Sequence, residues 1–350
     1  MRTETPALLN RRTYMMVSAY SAAHFLVDFA CAFLMFRSIA GTPNDYLCVL
    51  IYNFCAFAMQ MPLGIIADRW NRNTVFAIIG CLLVGVAYGF AGIPLAAVAI
   101  VGIGNAMFHV GGGIDVLNIS EKKLSALGVF VSPGAFGIFY GGILGRGSTF
   151  PAIFFPCALI FAAGLIFAAY RAQRGAYPKN AAFTLKGIGS SHILIVAACF
   201  FLVVCLRSFV GLSLNFPWKG VGYWGTALIC AVVFGKTIGG FVADRFGLIK
   251  TAAVSLSIAS VLFLFPAIAP AGVTAVLLFN MTMPITLWAM AKIMPGAKGF
   301  AFGLLTFGLF IGFLPVYLEV QIPAAISWIF ALLSAVSLAI LWAGLRKAKL

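Results

Sequence analysis

A short segment that occurs twice decides the fold. The first copy reads Gly64-Ile-Ile-Ala-Asp68-Arg69-Trp-Asn-Arg72, and the second reads Gly240-Phe-Val-Ala-Asp244-Arg245, at an offset of 176 residues. Each copy lies at the end of a long apolar run. Three further pairs keep an offset of 175 residues, namely Asn105 with Asn280, Gly128 with Gly303, and Gly137 with Gly312. A common offset in separate regions predicts an internal repeat.

The composition predicts a membrane protein. Of the 350 residues, 63% are hydrophobic and only 9% are charged, whereas a soluble domain carries about 25% charged residues. A spanning helix needs about 20 mostly apolar residues. Runs of this kind occur at 13–39, 46–67, 74–92, 94–118, 124–146, 151–171, 190–214, 218–242, 248–268, 270–291, 298–318 and 323–345. Their length and their lack of polar alternation indicate helices rather than barrel strands.

The basic residues predict how the spans are oriented. If the N-terminus is cytoplasmic, most of the 23 Lys and Arg residues fall in cytoplasmic segments, and only Arg37, Arg146 and Lys219 fall on the outer side. This excess follows the positive-inside rule, so both termini are expected in the cytoplasm. It also explains the net charge of +15 without nucleic acid as a partner.

The longest polar stretch, 172–189, divides the predicted spans into six and six. We therefore predict an all-α membrane protein with twelve transmembrane helices in two parallel-repeat six-helix bundles. The N-terminal bundle is expected at 1–171, a cytoplasmic linker at 172–189 and the C-terminal bundle at 190–350. An even number of spans separates the two copies, so both halves have the same orientation in the membrane.

The doubled segment resembles the signature motif of the major facilitator superfamily, G-x-x-x-D-R-x-x-R, and the resemblance extends over the whole chain. It implies the major facilitator fold and transport by alternating access. It also implies a cytoplasmic gate, in which glycine lets helices approach closely and charged residues latch one span to another at helix ends. The gate residues are then Gly64, Asp68, Arg69, Arg72, Gly240, Asp244 and Arg245.

A second resemblance is to the fosmidomycin-resistance type of drug exporter, in the segment Gly104-Asn105-Ala-Met-Phe108-His109. The acidic residue and the arginine that follow in that group are missing here, so neither its coupling chemistry nor its drug substrate carries over. The segment 132–142 partly matches the antiporter motif of the superfamily, which favours export weakly, but a bent packing helix explains the same residues. Import and export both stay open.

Ionisable side chains inside the spans are the candidates for function, because a charge within the bilayer is costly. Asp28 lies near the middle of the first span, with His24 one turn earlier on the same face. We predict that these two residues form a protonation site, with Asp115 as a third candidate. Arg207 and Lys236 are expected to bind an anionic group of the substrate. The other substrate-binding candidates are Asn105, His109, Asn280, Tyr140 and Tyr317.

These features predict a secondary active transporter for a small anionic or amphipathic solute, coupled to protons or another ion. We expect a monomer surrounded by lipid in a bacterial cytoplasmic membrane. A lipid flippase, a drug or metabolite exporter, and a receptor or scaffold without transport are the alternatives. An enzyme is not expected, since no H-E-x-x-H, G-x-S-x-G or Walker sequence occurs. No cofactor is expected, and no metal either, because the eight cysteines lack zinc-ligand spacing.

Overall fold

The chain is built from helices. The computed structural model describes residues 6–120, 123–147, 149–173, 181–185, 189–320, 322 and 328–350, and within these residues no strand occurs. The predicted all-α fold class is confirmed. Most of the predicted linker, 172–189, lies outside the described residues.

Eight helices form the first half of the described chain. They are α1 (Pro6–Leu34), α2 (Asp45–Asn53), α3 (Gln60–Trp70), α4 (Asn73–Ala87), α5 (Pro94–Ile119), α6 (Ser125–Val131), α7 (Pro133–Gly147) and α8 (Phe154–Ala172). π-Helical turns at Met35–Ile39 and Phe54–Ala58 extend α1 and connect α2 to α3, and a 3-10 turn at Tyr88–Phe90 continues α4.

Seven helices form the described second half. They are α9 (Ser191–Ser213), α10 (Trp224–Phe246), α11 (Leu248–Leu262), α12 (Ala269–Asn280), α13 (Met283–Ile293), α14 (Lys298–Tyr317) and α15 (Ile329–Lys347). Across both halves, eleven segments of the described chain are long and apolar enough to cross a membrane. Two of these segments break before a proline, at Ser132 between α6 and α7 and at Thr282 between α12 and α13. Proline cannot donate to the preceding helical turn, so the hydrogen-bond ladder stops there.

The ninth predicted span is wrong in length. The sequence predicts a span at 248–268, but α11 covers only 15 residues, which corresponds to about 22 Å. Residues 263–268 form turns around Pro266. Apolar composition extends through these turns, so hydropathy alone does not show where the helix ends. α11 still packs against α12 and α15 within the second half.

The two halves repeat the same helix packing. In the first half α4 packs against α5, α1 against α7, and α8 against both α1 and α4. In the second half the equivalent pairs are α11 with α12, α9 with α14, and α15 with both α9 and α11. This correspondence is the parallel repeat predicted from the 176-residue offset.

Small residues allow the halves to meet closely. α14 packs against α3, and α10 packs against α6 and α7. A side-chain carbon at Gly64 would overlap the backbone of Gly299, and one at Gly303 would overlap the backbone of Gln60, so only glycine permits these approaches. We call the end of the bundle that carries Asp68 and Asp244 the motif end, and the opposite end the far end. Which side of the membrane the motif end faces stays a prediction.

Candidate functional site

A buried polar cluster lies between α1 and α5. Asp28 accepts a hydrogen bond at Oδ1 from Asn105 Nδ2 (2.9 Å), and its Oδ2 lies 3.2 Å from His24 Nε2. His109 Nε2 lies 2.9 Å from His24 Nε2 and 3.9 Å from Asp28 Oδ1. We call His24, Asp28 and His109 the triad. Its side chains are shielded from solvent by the surrounding helices.

The positions of the triad residues follow from helix spacing and close packing. His24 and Asp28 are four residues apart on α1, so they lie on one face. α7 approaches this face through glycines. A side-chain carbon at Gly134 would overlap both Asp28 Oδ2 and His24 Nε2, and one at Gly137 would overlap the α1 backbone at Phe25. Glycine at position 134 therefore leaves the space that the triad occupies.

The second ring nitrogen of each histidine faces a backbone carbonyl. His24 Nδ1 lies 2.7 Å from the carbonyl oxygen of Phe130, and His109 Nδ1 lies 2.9 Å from that of Asn105. A carbonyl oxygen can only accept a hydrogen bond, so both Nδ1 atoms must carry a hydrogen. This fixes the ring orientations and points both Nε2 atoms toward Asp28.

The triad also has the donors of a metal site. The ligand atoms of His24, Asp28 and His109 all lie within 4.8 Å of one another, and two imidazole nitrogens with a carboxylate form a set that transition metals use. The sequence predicts no metal. It does not mark this set of ligands, because His24 and His109 are 85 residues apart. Only the packing of α5 against α1 brings the two histidines together.

A buried and a half-buried cation lie inside the second half. Arg207 on α9 is 8% exposed and donates to Thr286 Oγ1 (3.3 and 3.4 Å). Lys236 on α10 donates to the carbonyl oxygen of Val131 (3.4 Å), at the junction of α6 and α7. Among the described residues, no carboxylate forms an ion pair with either cation. Lys236 lies within electrostatic range of Arg207, Asp28 and His109.

The structure places Asp115 apart from the triad. Asp115 is fully buried, and its carboxylate accepts hydrogen bonds from Tyr20 Oη (2.5 Å), Asn73 Nδ2 (2.9 Å) and Thr74 Oγ1 (2.9 Å). These contacts tie α1, α4 and α5 together near the motif end. Hydrogen bonds from two neighbouring helices hold the carboxylate in place, so this arrangement indicates a structural junction.

Three other substrate-binding candidates lie outside the triad. Asn280 donates to the carbonyl oxygen of Val276 in its own helix (2.8 Å), and Tyr140 is exposed beside Phe136 and Phe139. Tyr317 lies at the far end. Its hydroxyl donates to the backbone carbonyl oxygen of Tyr46 (3.2 Å), and the hydroxyl of Tyr46 donates to the backbone carbonyl oxygen of Tyr317 (3.1 Å). The two rings stack with centroids 4.1 Å apart. Sequence reasoning missed Tyr46, because its aromatic side chain at the start of a span is ordinary.

Both acidic residues of the doubled motif bind the first turn of a helix in the other half. Asp68 accepts from the backbone N–H groups of Gly299 (2.8 Å) and Phe300 (2.9 Å). Asp244 accepts from those of Leu124 (2.7 Å) and Ser125 (3.0 Å). Unpaired N–H groups at a helix N-terminus favour a negative charge, so these contacts hold the two halves together at the motif end.

The arginines of the motif do not pair with these carboxylates. Arg69 stacks over the ring of Phe183 (5.0 Å to the centroid) and Arg245 over that of Phe246 (5.8 Å), while Arg72 is exposed before α4. Within the part of the chain that the structure describes, none of the three forms an ion pair with an acidic residue. The carboxylates of the motif therefore contact helix starts in the other half, the arginines of the motif contact aromatic rings or solvent, and the gate itself stays a prediction.

Solved transporters share this architecture. The structure of FucP, a major facilitator superfamily transporter, in the outward conformation aligns with a TM-score of 0.63 at 15% identity, covering 96% of this chain and 99% of that chain. A variant of the E. coli fucose:proton symporter FucP aligns with a TM-score of 0.64 at 14% identity, covering 95% and 98%. A bacterial homologue of the iron transporter ferroportin in the outward-facing state gives 0.60 at 16% identity, covering 98% of both chains.

These similarities show the fold. No protein-family model matches the sequence, and neither does any curated protein sequence. The chain therefore has the major facilitator fold, as the doubled motif predicts, and it is a multi-pass membrane protein. The resemblance to the fosmidomycin-resistance exporters stays a prediction.

Proposed function

We propose that this protein is a secondary active transporter, which moves a small anionic or amphipathic solute by alternating access and is driven by protons. One observation carries the proposal. A buried carboxylate with two imidazoles lies in the first half, and the buried Arg207 and the half-buried Lys236 of the second half form no ion pair with a carboxylate of the described residues. Ionisable groups inside a membrane bundle mark substrate and ion pathways, and this arrangement spans the interface across which the two halves of such a fold rock.

The cations support an anionic solute. Burying a charge without a partner is costly, and among the described residues the one side-chain acceptor of Arg207 is the neutral hydroxyl of Thr286. A carboxylate or phosphate of the solute would supply the missing charge, and the planar guanidinium of Arg207 suits such a group because it can donate two parallel hydrogen bonds. Lys236, which lies closer to the triad, would bind the same anion from the other side.

The triad supports proton coupling. The carboxylate of Asp28 lies beside two imidazoles, and Lys236 of the second half is within electrostatic range of it. We assign coupling to these residues rather than to Asp115, because Asp115 is tied to α1 and α4 by Tyr20, Asn73 and Thr74 and lies apart from the triad. Asp68 and Asp244 would hold the motif end closed in one access state and release it in the other. A bacterial cytoplasmic membrane and a monomeric state belong to the same proposal.

A thermal-shift screen of purified protein against small carboxylates and phosphates tests the anion site. We expect stabilising anions whose effect is lost in Arg207→Gln and kept in Lys219→Gln, which removes an exposed cation. If no carboxylate or phosphate stabilises the protein, or if the stabilisation is equally large in Arg207→Gln, the anionic substrate is refuted.

Transport of the best hit in proteoliposomes, with a pH dye inside, then tests coupling. Asp28→Asn is expected to abolish proton-driven uptake or release, while Asp45→Asn, whose carboxylate accepts only a local bond from Gly41 N–H, serves as the matched control. Unchanged proton flux in Asp28→Asn would refute the proton site. Translocation of fluorescent lipid without solute flux would instead indicate a flippase.

A further inference from the structure

We propose that the triad binds one divalent transition-metal ion in six-coordinate geometry, with the Nε2 atoms of His24 and His109 and the carboxylate of Asp28 as three of its ligands. This goes beyond the donor types of the triad, because it names the class of ion and its geometry. The inference rests on the contacts of the triad and not on the proposed function, so the two can fail separately.

The spacing of the donor atoms fits bonds to a single ion. The two Nε2 atoms are 2.9 Å apart, and with metal–nitrogen bonds of about 2.0–2.1 Å they would subtend about 90° at the ion. His24 Nε2 and Asp28 Oδ2 are 3.2 Å apart, which corresponds to about 100°. Asp28 Oδ1 lies 3.9 Å from His109 Nε2, less than the length of two such bonds, about 4.2 Å. The carboxylate can therefore reach an ion that both histidines bind.

The tilt of the two rings argues against a proton held between the nitrogens. In a straight N–H···N bond, the two nitrogens and the two ring centres all lie on one line. Because a ring nitrogen is about 1.15 Å from the centre of its ring, such a bond would place the centroids about 5.2 Å apart. The centroids of His24 and His109 are only 4.5 Å apart. At least one of the two lone pairs therefore points well away from the other nitrogen.

Lone pairs that converge on an ion explain this shorter distance. If each lone pair is inclined by about 45° to the line between the nitrogens, the observed centroid distance results, and the lone pairs meet about 2.1 Å from both nitrogens. This meeting point lies at the usual length of a bond from imidazole to a metal. The ring planes are perpendicular, at 90°, which two ligands of one ion can adopt because each ring can turn about its own metal–nitrogen bond.

The groups behind the ligands also fit a metal site. His24 Nδ1 donates to the carbonyl oxygen of Phe130, and His109 Nδ1 donates to that of Asn105. Metal-binding histidines usually donate from their second nitrogen in this way, which keeps the lone pair of the other nitrogen free for the metal. Asn105 Nδ2 also donates to the carboxylate of Asp28. Asn105 thus holds two of the three ligands in place.

The angles indicate which ions the triad prefers. A tetrahedral ion such as Zn²⁺ would hold the two nitrogens about 3.3 Å apart, which is wider than the observed 2.9 Å. Angles near 90° suit six-coordinate Mn²⁺, Fe²⁺, Co²⁺ or Ni²⁺, and two histidines with one carboxylate are the ligand set of non-haem iron, which leaves positions open for other ligands. Mg²⁺ and Ca²⁺ are not expected, because they prefer oxygen ligands alone.

Titration of the unsubstituted protein with Co²⁺ tests the site directly. The protein is purified without a polyhistidine tag and placed in nanodiscs. We expect one bound ion per chain by isothermal titration calorimetry, and the weak visible absorption of six-coordinate Co²⁺. An absence of binding, or the intense absorption bands of tetrahedral Co²⁺, would overturn the proposal. Because this experiment needs no substitution, misfolding of a variant does not affect it.

Two histidine variants test whether the triad holds the ion. His109→Gln keeps a polar side chain but removes one ligand, so we expect Co²⁺ to bind at least tenfold more weakly. His192→Gln is the matched control, since His192 contacts the carbonyl oxygen of Lys347 at the surface, and its affinity for Co²⁺ should be unchanged. Equal affinity of His109→Gln and the unsubstituted protein would overturn the proposal.

Transport measurements separate this inference from the proposed function. The proposed proton coupling uses the carboxylate of Asp28, so the triad would hold either the coupling proton or the metal ion at one time. Loss of proton-driven flux in Asp28→Asn, in a protein that binds no Co²⁺, would overturn the metal site and leave the proposed function standing. Co²⁺ binding that His109→Gln weakens, together with normal flux in Asp28→Asn, would support the metal site and overturn the proton coupling.

Discussion

The two copies of the repeated motif form the same hydrogen bonds in different surroundings. Asp68 and Asp244 each bind two N–H groups at the start of a helix in the other half, at distances between 2.7 and 3.0 Å. Asp68 is only 5% exposed, whereas Asp244 is open to solvent. Asp68 binds α14, a helix of 20 residues, and Asp244 binds α6, which has seven.

This difference shows that two copies of one sequence motif need not stabilise the contact between the halves equally. Water and salt weaken the attraction between an exposed charge and a helix end, so the contact of Asp244 should contribute less than that of Asp68. The glycines of the two copies also differ in how closely they approach the other half, and again the first copy has the closer contact. A side-chain carbon at Gly64 would overlap the backbone of Gly299, while one at Gly240 would lie 2.9 Å from atoms of Leu124 and Ser125. We infer that the first copy is the stronger latch.

The largest effect is expected from Gly64→Leu. The new side chain would meet backbone atoms of Gly299, which cannot move without shifting α14, so the motif end should open. Spin labels at Arg72→Cys and Lys250→Cys, with the exposed Cys157 replaced by serine, would report a longer distance by double electron–electron resonance. Gly164→Leu is the control, because nothing lies within 4 Å of that position. An unchanged distance in Gly64→Leu would contradict the close approach.

Asp68→Asn should have the next largest effect. The amide can still accept one bond, but the buried charge that both N–H groups share is lost, and charge-assisted bonds are about twice as strong as neutral ones. We expect the open population to rise about tenfold, or ~1.4 kcal/mol. The same pair of spin labels measures this population.

Asp244→Asn should have a smaller effect, of about 0.3–1 kcal/mol, which is typical of an exposed charge at a helix end. Added salt sharpens the comparison. Because exposed charges are screened and buried ones much less so, high salt should reduce the difference between the unsubstituted protein and Asp244→Asn and leave the effect of Asp68→Asn nearly intact. The reverse order of the two variants would show that burial does not set the strength of the latch.

The smallest effects are expected from Arg69→Gln and Arg245→Gln. Each arginine stacks on one aromatic ring, Phe183 in the segment 181–185 or Phe246 in α10 itself, and neither ring belongs to a helix of the opposite half, so these contacts contribute little to holding the halves together. The open population in the spin-label experiment should change less than in Asp68→Asn. A larger change in either arginine variant would support the ion-pair latch that the resemblance to the superfamily implies.

Features that are local in sequence were predictable. Helical spacing places His24 beside Asp28, and the repeated offset gives the two halves. The meeting of His24 with His109 was not predictable, because it depends on how α1 packs against α5. The partners of Asp68 could not be predicted from the sequence either, for a different reason. Backbone N–H groups occur at every residue other than proline, so no residue type at positions 299 and 300 marks them as partners.

The hydrogen bonds from backbone N–H groups to Asp68 and Asp244 affect how the sequence can vary. A bond between a side chain and a backbone amide depends on the identity of only one of its two residues. Asp68 and Asp244 can lose the bond by one substitution, whereas Phe300, Leu124 and Ser125 can change to almost anything but proline and keep it. The aspartates and the residues whose N–H groups they bind should therefore change at very different rates among relatives. No covariation is expected between them, even though they are in direct contact.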